Sequence, residues 1–363
     1  MSNSIVFLQI PIIDKNENIF GYRIKLINEE EISEKDFLTF LENFYIKKPT
    51  FIKLSPNLLS TPEILQFLDK EKVIIITEEG FVEDFKIATY LNSPNISIAD
   101  YLILRSIEEI EKALSIPAVK ILENVKSLDD FEKLKSKDID LFEGYFFLEK
   151  KEFDESKVKP SKLAILNIFN SVVNDFSIDK IEEELKRNPD ISIELLRFIN
   201  SAAFGLRREI KSIRHAISLL GQRQFLNWLL LSIYLADEEN KKQTLFETAA
   251  IRGKMLELLS QKLNLDKEKV DKGFLVGILS IIGLIMEKPK KEILEEINVD
   301  DEIKKAILEY KGIHGKLLKA LEYLEQEMLD KVDDILKELH LSIEDLMQAQ
   351  LNAIIWFNNL QAE

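Results

Sequence analysis

Six cations, Arg197, Arg207, Arg208, Lys211, Arg214 and Arg223, fall within 27 residues of a chain that carries 49 Lys+Arg against 64 Asp+Glu, a net charge of −15. No acid interrupts the run between Glu194 and Glu209. Guanidinium groups fork onto carboxylates and phosphates, so this cluster could dock an acidic protein surface or a nucleotide. The plain alternative is that solvated helix ends and internal salt bridges absorb these charges. Other reactive chemistry is scarce. The absence of cysteine excludes disulfides, thiolate zinc sites and cysteine nucleophiles. The three histidines, His215, His314 and His340, lie far apart in sequence, so metal chemistry would have to rest on carboxylates. Acidic pairs such as Glu78-Glu79, Asp129-Asp130 and Asp333-Asp334 are expected mostly on solvated helix faces. His215, in the apolar stretch IRHAISLL, reads as a packed or capping side chain rather than a ligand. Dinucleotide-binding, P-loop, nucleophile-elbow and zinc-protease motifs are absent.

The elements that must position these residues change character near position 150. Before it, short β-branched runs at 4–10, 19–27, 50–54, 73–77, 101–104, 118–122 and 144–148 read as strands. Helical patterns at 33–45, 61–69, 80–91, 106–114 and 127–135 lie between them. Thr61 before Pro62, and Ser127 with Asp130 three residues on, are helix-start signals. The fully apolar VIIIT (73–77) points to burial on both faces, as in a parallel sheet. This alternation predicts a barrel or a doubly wound sheet, and about 150 residues against the roughly 250 of a full (β/α)₈ barrel predicts a truncated or lopsided one.

The polar stretch 150–162, with Pro160, reads as a linker, and beyond it the chain reads as helices alone. Ser177, Asp190 and Ser212 look like helix starts, while Gly205 and Gly221 look like stops or joints. Trp228 with Phe225 and Leu229 reads as core packing, and Trp356 either seals the bundle or offers a partner surface. The apolar stretches 225–236 and 274–286 fall short of the ~20 residues that span a bilayer, so no membrane insertion is expected. The first residues lack a basic segment and a cleavage site, from which a cytoplasmic location is expected.

The run LLRFINSAAFGLRREIKSIRHAISLLGQRQFLNWLLLS (195–232) resembles the signature region of the HDOD domain, a helix ending in N-S-A-x-F-G, a basic turn, S-I-x-x-A-I-x-x-L-G and a Trp-bearing helix. The resemblance implies an all-α relative of the HD phosphohydrolases that generally lacks their metal-binding His-Asp pair. Here FLVGILSIIGLI (274–285) resembles the stretch where active HD domains carry that pair, and Ser280-Ile281 stand in its place. Neither side chain supplies the imidazole or carboxylate of a di-metal site.

The first 150 residues, in turn, resemble a degenerate EAL domain, whose active members hydrolyse cyclic di-GMP with Mg²⁺ or Mn²⁺ held by carboxylates. The resemblance rests on IPIID (10–14), FIKLSPNLL (51–59), IADYLILR (98–105) and LFEGYFF (141–147). It implies that Arg23 replaces the Glu that names the family, Ile27 the phosphate-contacting Arg, Lys53 a metal-binding Asn, Ile75 a Glu and Arg105 an Asp, while Ile103 replaces a Lys. A further acidic site of the family aligns near Tyr90 and Leu91. Glu123 matches a Glu of the pattern, and Lys126 stands where a second is usual. Ile10, Ile27 and Ile103 remove polar contacts to a nucleotide. Arg23, Lys53 and Arg105 put positive charge where a cation should sit, and would either neutralise local carboxylates or hold an anion.

The expected architecture is α/β plus all-α: a truncated, degenerate TIM-like EAL barrel over 1–150, a linker over 151–162 and an all-helical HDOD (HD-related) bundle over 163–363. The expected function is that of a non-enzymatic cytoplasmic regulator without cofactor or metal, acting through protein partners. Arg207, Arg208, Lys211, Arg214 and Arg223 are the candidate docking residues. A nucleotide sensor that binds without hydrolysis is the alternative, and nucleic-acid binding through 197–223, disfavoured by the net charge, is the third. Homo-oligomerisation is left open.

Overall fold

The computed structural model describes residues 5–27, 32–44, 47–78, 82–149, 153, 158, 160–201, 204, 208–235 and 243–360. The chain forms two units, residues 1–150 with 324–328 and residues 151–323 with 329–363.

In the first unit eight strands close into a barrel in sequence order: β1 (Phe7–Asp14), β2 (Ile19–Leu26), β3 (Thr50–Lys53), β4 (Val73–Ile76), β5 (Lys86–Tyr90), β6 (Tyr101–Leu104), β7 (Val119–Leu122) and β8 (Leu141–Glu143). Strand β1 is antiparallel to both neighbours, and β2 to β8 run parallel. The interior is filled by Ile12, Phe51, Ile74, Ile76, Ala88, Tyr90, Tyr101, Ile103, Ile121 and Leu141, with Phe20 against them. It is a packed core, as small parallel barrels require.

The sheet is therefore complete, and the shortness expected from the length falls on the helices instead. These are α1 (Glu34–Asn43), α2 (Pro56–Leu59), α3 (Pro62–Phe67), α4 (Glu108–Ala113) and α5 (Leu128–Leu134). Among the described residues no α-helix joins β4 to β5, and only a 3₁₀ turn, Pro94–Ser97, joins β5 to β6. The helix expected at 80–91 is instead strand β5. Closing the ring needs a strand between β4 and β6, whose exposed edges would otherwise leave backbone groups unpaired. The strand expected at 144–148 lies earlier, at Leu141–Glu143, and Phe146–Leu148 form a 3₁₀ turn. Ser127 caps α5 as its spacing predicts, accepting from the Asp130 N–H at 3.1 Å and donating to the Asp130 carboxylate at 2.7 Å. Thr61 precedes Pro62 at the start of α3 but makes no side-chain cap.

The second unit is helical: α6 (Pro160–Asn174), α7 (Ile178–Lys186), α8 (Pro189–Asn200), α9 (Ile213–Leu235), α10 (Gln243–Lys262), α11 (Lys267–Leu279), α12 (Ile282–Ile285), α13 (Lys290–Glu296), α14 (Asp301–Glu309), α15 (Gly312–Glu325), α16 (Leu329–Glu338) and α17 (Ile343–Leu360). Helix α6 begins at Pro160, inside the stretch expected to be linker, because proline is preorganised for the first helical turn. Gly221 is the joint expected of it: with φ 69° and ψ 173° it breaks α9 into two helical segments. Gly205 lies outside the described residues. Phe225, Trp228 and Leu229 are fully buried. Trp356 packs edge-on to Phe274, with the Lys254 ammonium over its ring. No described helix is long and apolar enough to cross a membrane.

Candidate functional site

Alternation along a strand dictates what lines the barrel mouth. Phe51, Ile76, Ala88, Ile103, Ile121 and Leu141 point into the barrel, so the residues two further on point the same way, one layer nearer the C-terminal strand ends. Those residues are Lys53, Glu78, Tyr90, Arg105, Glu123 and Glu143. Into this ring β2 extends Arg23.

The Arg23 guanidinium is the hub. Its Nη1 donates to Glu123 Oε2 at 2.7 Å and to the Glu143 carboxylate at 3.2 and 3.3 Å, and its Nη2 donates to the Tyr90 hydroxyl at 2.9 Å. All three charged side chains are largely withdrawn from water, with 12% of Arg23, 19% of Glu123 and 6% of Glu143 exposed. Burial alone would lower the Arg23 pKa, but Glu143 and Glu123 outweigh it and hold the group above the ordinary arginine value. Burial pushes the Glu143 carboxyl above the ordinary range, Arg23 opposes that push and Glu123 adds to it. Arg23 is thus the cation that lies between two neighbouring carboxylates.

A looser layer surrounds this hub. Arg105 lies 3.8 Å from Glu123 and 4.0 Å from Glu78, and its guanidinium stacks 3.8 Å from the Tyr90 ring centroid. Lys53 lies 3.5 Å from Glu78. Cations Arg23, Lys53 and Arg105 thus balance Glu78, Glu123 and Glu143. Magnesium or manganese needs free oxygen ligands, and here the carboxylates are already committed to guanidinium and ammonium groups, so the residues present do not fit either metal. Among the described residues no group of three or more His, Cys, Asp or Glu side chains could hold a metal ion.

Of the other sequence-derived barrel positions, Ile10 lies beside the ring, in register with Arg23 and on the inward face of β1 with Ile12. Ile75 is buried between two inward-facing neighbours, which turns its own side chain to the opposite side of the sheet. Ile10 and Ile103 are buried, Ile27 is 39% exposed beyond the end of β2, and Lys126 is exposed. Glu143 is the partner that sequence reasoning missed, and Tyr90, placed there near an acidic site of the family, serves instead as a hydroxyl acceptor for Arg23. Glu143 lies in the LFEGYFF segment, and an acid there together with an arginine at position 23 was the available signal. Glu78 is at the mouth, not on the helix face expected of it.

In the helical unit Ser280 is also met by an arginine. Arg252, on α10 and 4% exposed, donates to Ser280 Oγ at 2.9 Å, and Ser280 donates onward to the Gly277 carbonyl at 2.7 Å. Arg252 lies 3.8 Å from Glu322, which accepts from the Tyr310 hydroxyl at 2.6 Å. Burial and Glu322 both raise the Tyr310 pKa. Burial lowers that of nearby Lys290, Glu322 opposing and Arg252 adding. Ile281 is buried and offers no donor atom.

The basic cluster is largely absorbed by acids. Arg197 pairs with Glu194 at 3.0 Å, Lys211 with Glu209 at 3.5 Å, Arg223 with Asp271 at 2.6 Å, and Arg214 with Glu182 at 2.8 Å and with Asp179. Arg208 is exposed with no ion pair among the described residues, and Arg207 lies outside them. Such exposed pairs are screened by water and weakly held, so they leave the face available to a competing anion. His215 is exposed, a correction to its expected packing, because it sits on the solvent side of the first turn of α9.

His314 is the buried histidine. It is 3% exposed, and its Nε2 has no hydrogen-bond partner among the described residues. Burial holds its pKa below the usual value, opposed by Glu302 and by a backbone hydrogen bond with Lys269, while the Lys272 and Lys269 charges add to the effect. The unfolded chain therefore binds a proton near pH 6.5 that the folded chain refuses, and stability present above that pH is lost as pH falls through it. Between about pH 7 and about pH 5 the helical unit should lose stability, and His314→Phe should flatten that slope, read as the difference between the two proteins' urea midpoints.

An eight-stranded α/β barrel with a charged mouth followed by a helical bundle defines the class. Residues 163–309 match the family model of the HDOD domain. The family match thus falls within the helical unit. It is 24% identical over 245 residues to the uncharacterized protein YuxH of Bacillus subtilis, covering 66% of this chain and 59% of that one. It is 23% identical over 241 residues to the cyclic di-GMP phosphodiesterase CdgJ of Vibrio cholerae, covering 66% and 56%. The matches therefore span less than two thirds of either relative. The barrel is similar to a standalone EAL protein from Vibrio cholerae O395 in its c-di-GMP-bound form, with 16% identity and a TM-score of 0.31 over 41% of this chain and 93% of that one.

Proposed function

We propose that the protein is a non-enzymatic signal-transduction regulator that acts by binding other proteins, having turned the metal sites of both its ancestries into internal ion pairs. The observation that carries this reading is Arg23, seated within 3.3 Å of two carboxylates at the mouth of the barrel. Arg252 against Ser280 supports it in the helical unit. That one relative is named as a cyclic di-GMP phosphodiesterase supports a setting in that nucleotide's signalling. The proposed docking face is the basic turn around Arg208 and Arg214. Affinity capture from the native cell tests it: a partner retained by the natural protein should be lost from an Arg207→Glu/Arg208→Glu variant that melts normally. Equal capture by both would contradict the assignment of that face.

A second reading, nucleotide binding without hydrolysis, draws on Arg105, about half exposed, stacked on Tyr90 and beside Lys53. Calorimetry with cyclic di-GMP, GTP and (p)ppGpp decides between them, because absence of heat with all of them removes the sensor.

A further inference from the structure

We propose that the basic face at the C-terminal end of α8 docks the solvent face of α4 from a second copy of this chain. The inference rests on the reading of that basic face as a protein-docking one, and it adds the occupant.

Helix α8 turns one stripe to water. Ile193, Arg197 and Asn200 stand at i, i+4 and i+7, so they share a face, and all three are exposed, Ile193 by 50%. The buried Ile191, Leu195 and Ile199 lie off this stripe. At its end the Asn200 side chain donates to the Ile210 carbonyl at 2.9 Å and accepts from the Ile210 N–H at 2.8 Å. Those two bonds fix the basic turn at the end of the stripe, with Arg208 and Lys211 exposed on either side of Ile210 in sequence. From Ile193 to the turn the face is apolar, then cationic.

In the barrel unit α4 has the opposite sign. Its flanking residues Ile107 and Leu114 keep right-handed helical backbone, so Ile107, Glu111 and Leu114 again stand at i, i+4 and i+7 on one face. Ile110 and Ala113 are buried on the other side, while Ile107 and Leu114 are 56% and 59% exposed. Glu108 and Glu111 lie beside them in water, and neither forms an ion pair among the described residues. Apolar side chains grouped with uncompensated charge differ from the scattered single residues usual on a surface.

Laid antiparallel, the two stripes match. Leu114 meets Ile193, Glu111 meets Arg197, and Glu108 meets Arg208 or Lys211, because positions three and four apart on either helix are about 5–6 Å apart. Arg197 gives up only its exposed pair with Glu194. Two copies that brought the same face together would set cation on cation or acid on acid, so charge favours α4 of one copy on α8 of the next. Such a contact is heterologous: repeated, it builds a row or closes a ring, of which a reciprocal pair is the smallest. One short helix buries little area, so the association is weak and sensitive to salt.

Sedimentation of the purified full chain from about 5 to about 500 μM tests it. The natural protein should gain mass with concentration at about 50 mM salt and stay monomeric at about 500 mM. Arg197→Glu with Arg208→Glu, and separately Glu108→Arg with Glu111→Arg, should each stay monomeric. Their equimolar mixture should associate again, since one keeps the acidic face and the other the basic face. Leu114→Ser, which leaves every charge in place, should require about fivefold more protein or greater for the same association. Should a charge-reversed protein fail to fold, Arg197→Gln and Glu111→Gln, each expected to weaken the association, carry the test instead.

A natural protein that stays monomeric at low salt overturns the proposal, as does a mixture that stays monomeric or an association that survives either charge reversal. Indifference to Leu114→Ser would reduce the contact to unspecific attraction between charges and overturn it too. A monomeric natural protein whose basic turn still captures a cellular partner would assign the face to that partner, leaving the proposed function standing.

Discussion

Alanine at Gly277 should cost the helical unit more than about 3 kcal/mol, enough to unfold it or leave it loosely packed at room temperature. A Cβ at Gly277 would stand 2.4 Å from the Gly253 nitrogen, 2.5 Å from its Cα and 2.6 Å from the Arg252 carbonyl carbon. All three atoms are backbone of α10, so no side-chain rotation relieves the clash and the helices must separate. Alanine's better helix propensity returns only about 1 kcal/mol. The reciprocal change, Gly253→Ala, meets Ile278 Cγ1 and the Phe274 carbonyl at 3.1 Å, where small shifts suffice, and should be much milder. Urea unfolding followed by circular dichroism ranks the two. A Gly277→Ala protein within about 1 kcal/mol of the natural one would show that the α10–α11 contact is not as close as described. The close contact also places Arg252 next to Gly253 and opposite Ser280, so the same glycine pair positions the internal arginine.

Arg252→Met should destabilise the helical unit by about 3–5 kcal/mol, the range for removing one partner of a buried ion pair. The methionine fills much of the volume, and the loss comes from Glu322 and Ser280, which keep their polar atoms but lose the guanidinium. Glu322 retains only the Tyr310 hydroxyl among its described bonds. Tyr310→Phe should be smaller, about 1.5–3 kcal/mol, as for one hydrogen bond to a charged group. Combining Arg252→Met with Glu322→Gln should cost less than the sum of the single changes, because the second relieves the charge stranded by the first. Strict additivity would mean that Arg252 and Glu322 do not interact.

Much of the barrel was legible because buried parallel strands are written as short apolar runs. VIII at 73–76 and YLIL at 101–104 are strands at their expected places and are buried throughout. Strand β5 escaped because Phe81, Phe85 and Ala88 fall at helical spacing, and only the ring's need for a partner between β4 and β6 turns the segment into a strand. The cations at former ligand positions, Arg23, Lys53 and Arg105, were readable residue by residue. Their acceptors were not, since Tyr90 and Glu143 lie on strands 67 and 120 positions away from Arg23, and closure of the barrel alone brings them together. Arg252 carried no motif. It is one arginine within a mostly buried helix, and its meaning appears only when the close glycine contact sets it beside Ser280. The basic cluster was visible as a composition anomaly, whereas its pairing with Asp179, Glu182 and Asp271 depends on helix packing that no local pattern encodes.

Incubation of the purified full chain with cyclic di-GMP and either Mg²⁺ or Mn²⁺, with products separated by chromatography, tests most directly whether the barrel has exchanged its metal chemistry for internal ion pairs. The account predicts that the cyclic dinucleotide is recovered intact with either metal. Metal-dependent appearance of the linear dinucleotide, abolished by Glu123→Gln, would contradict it.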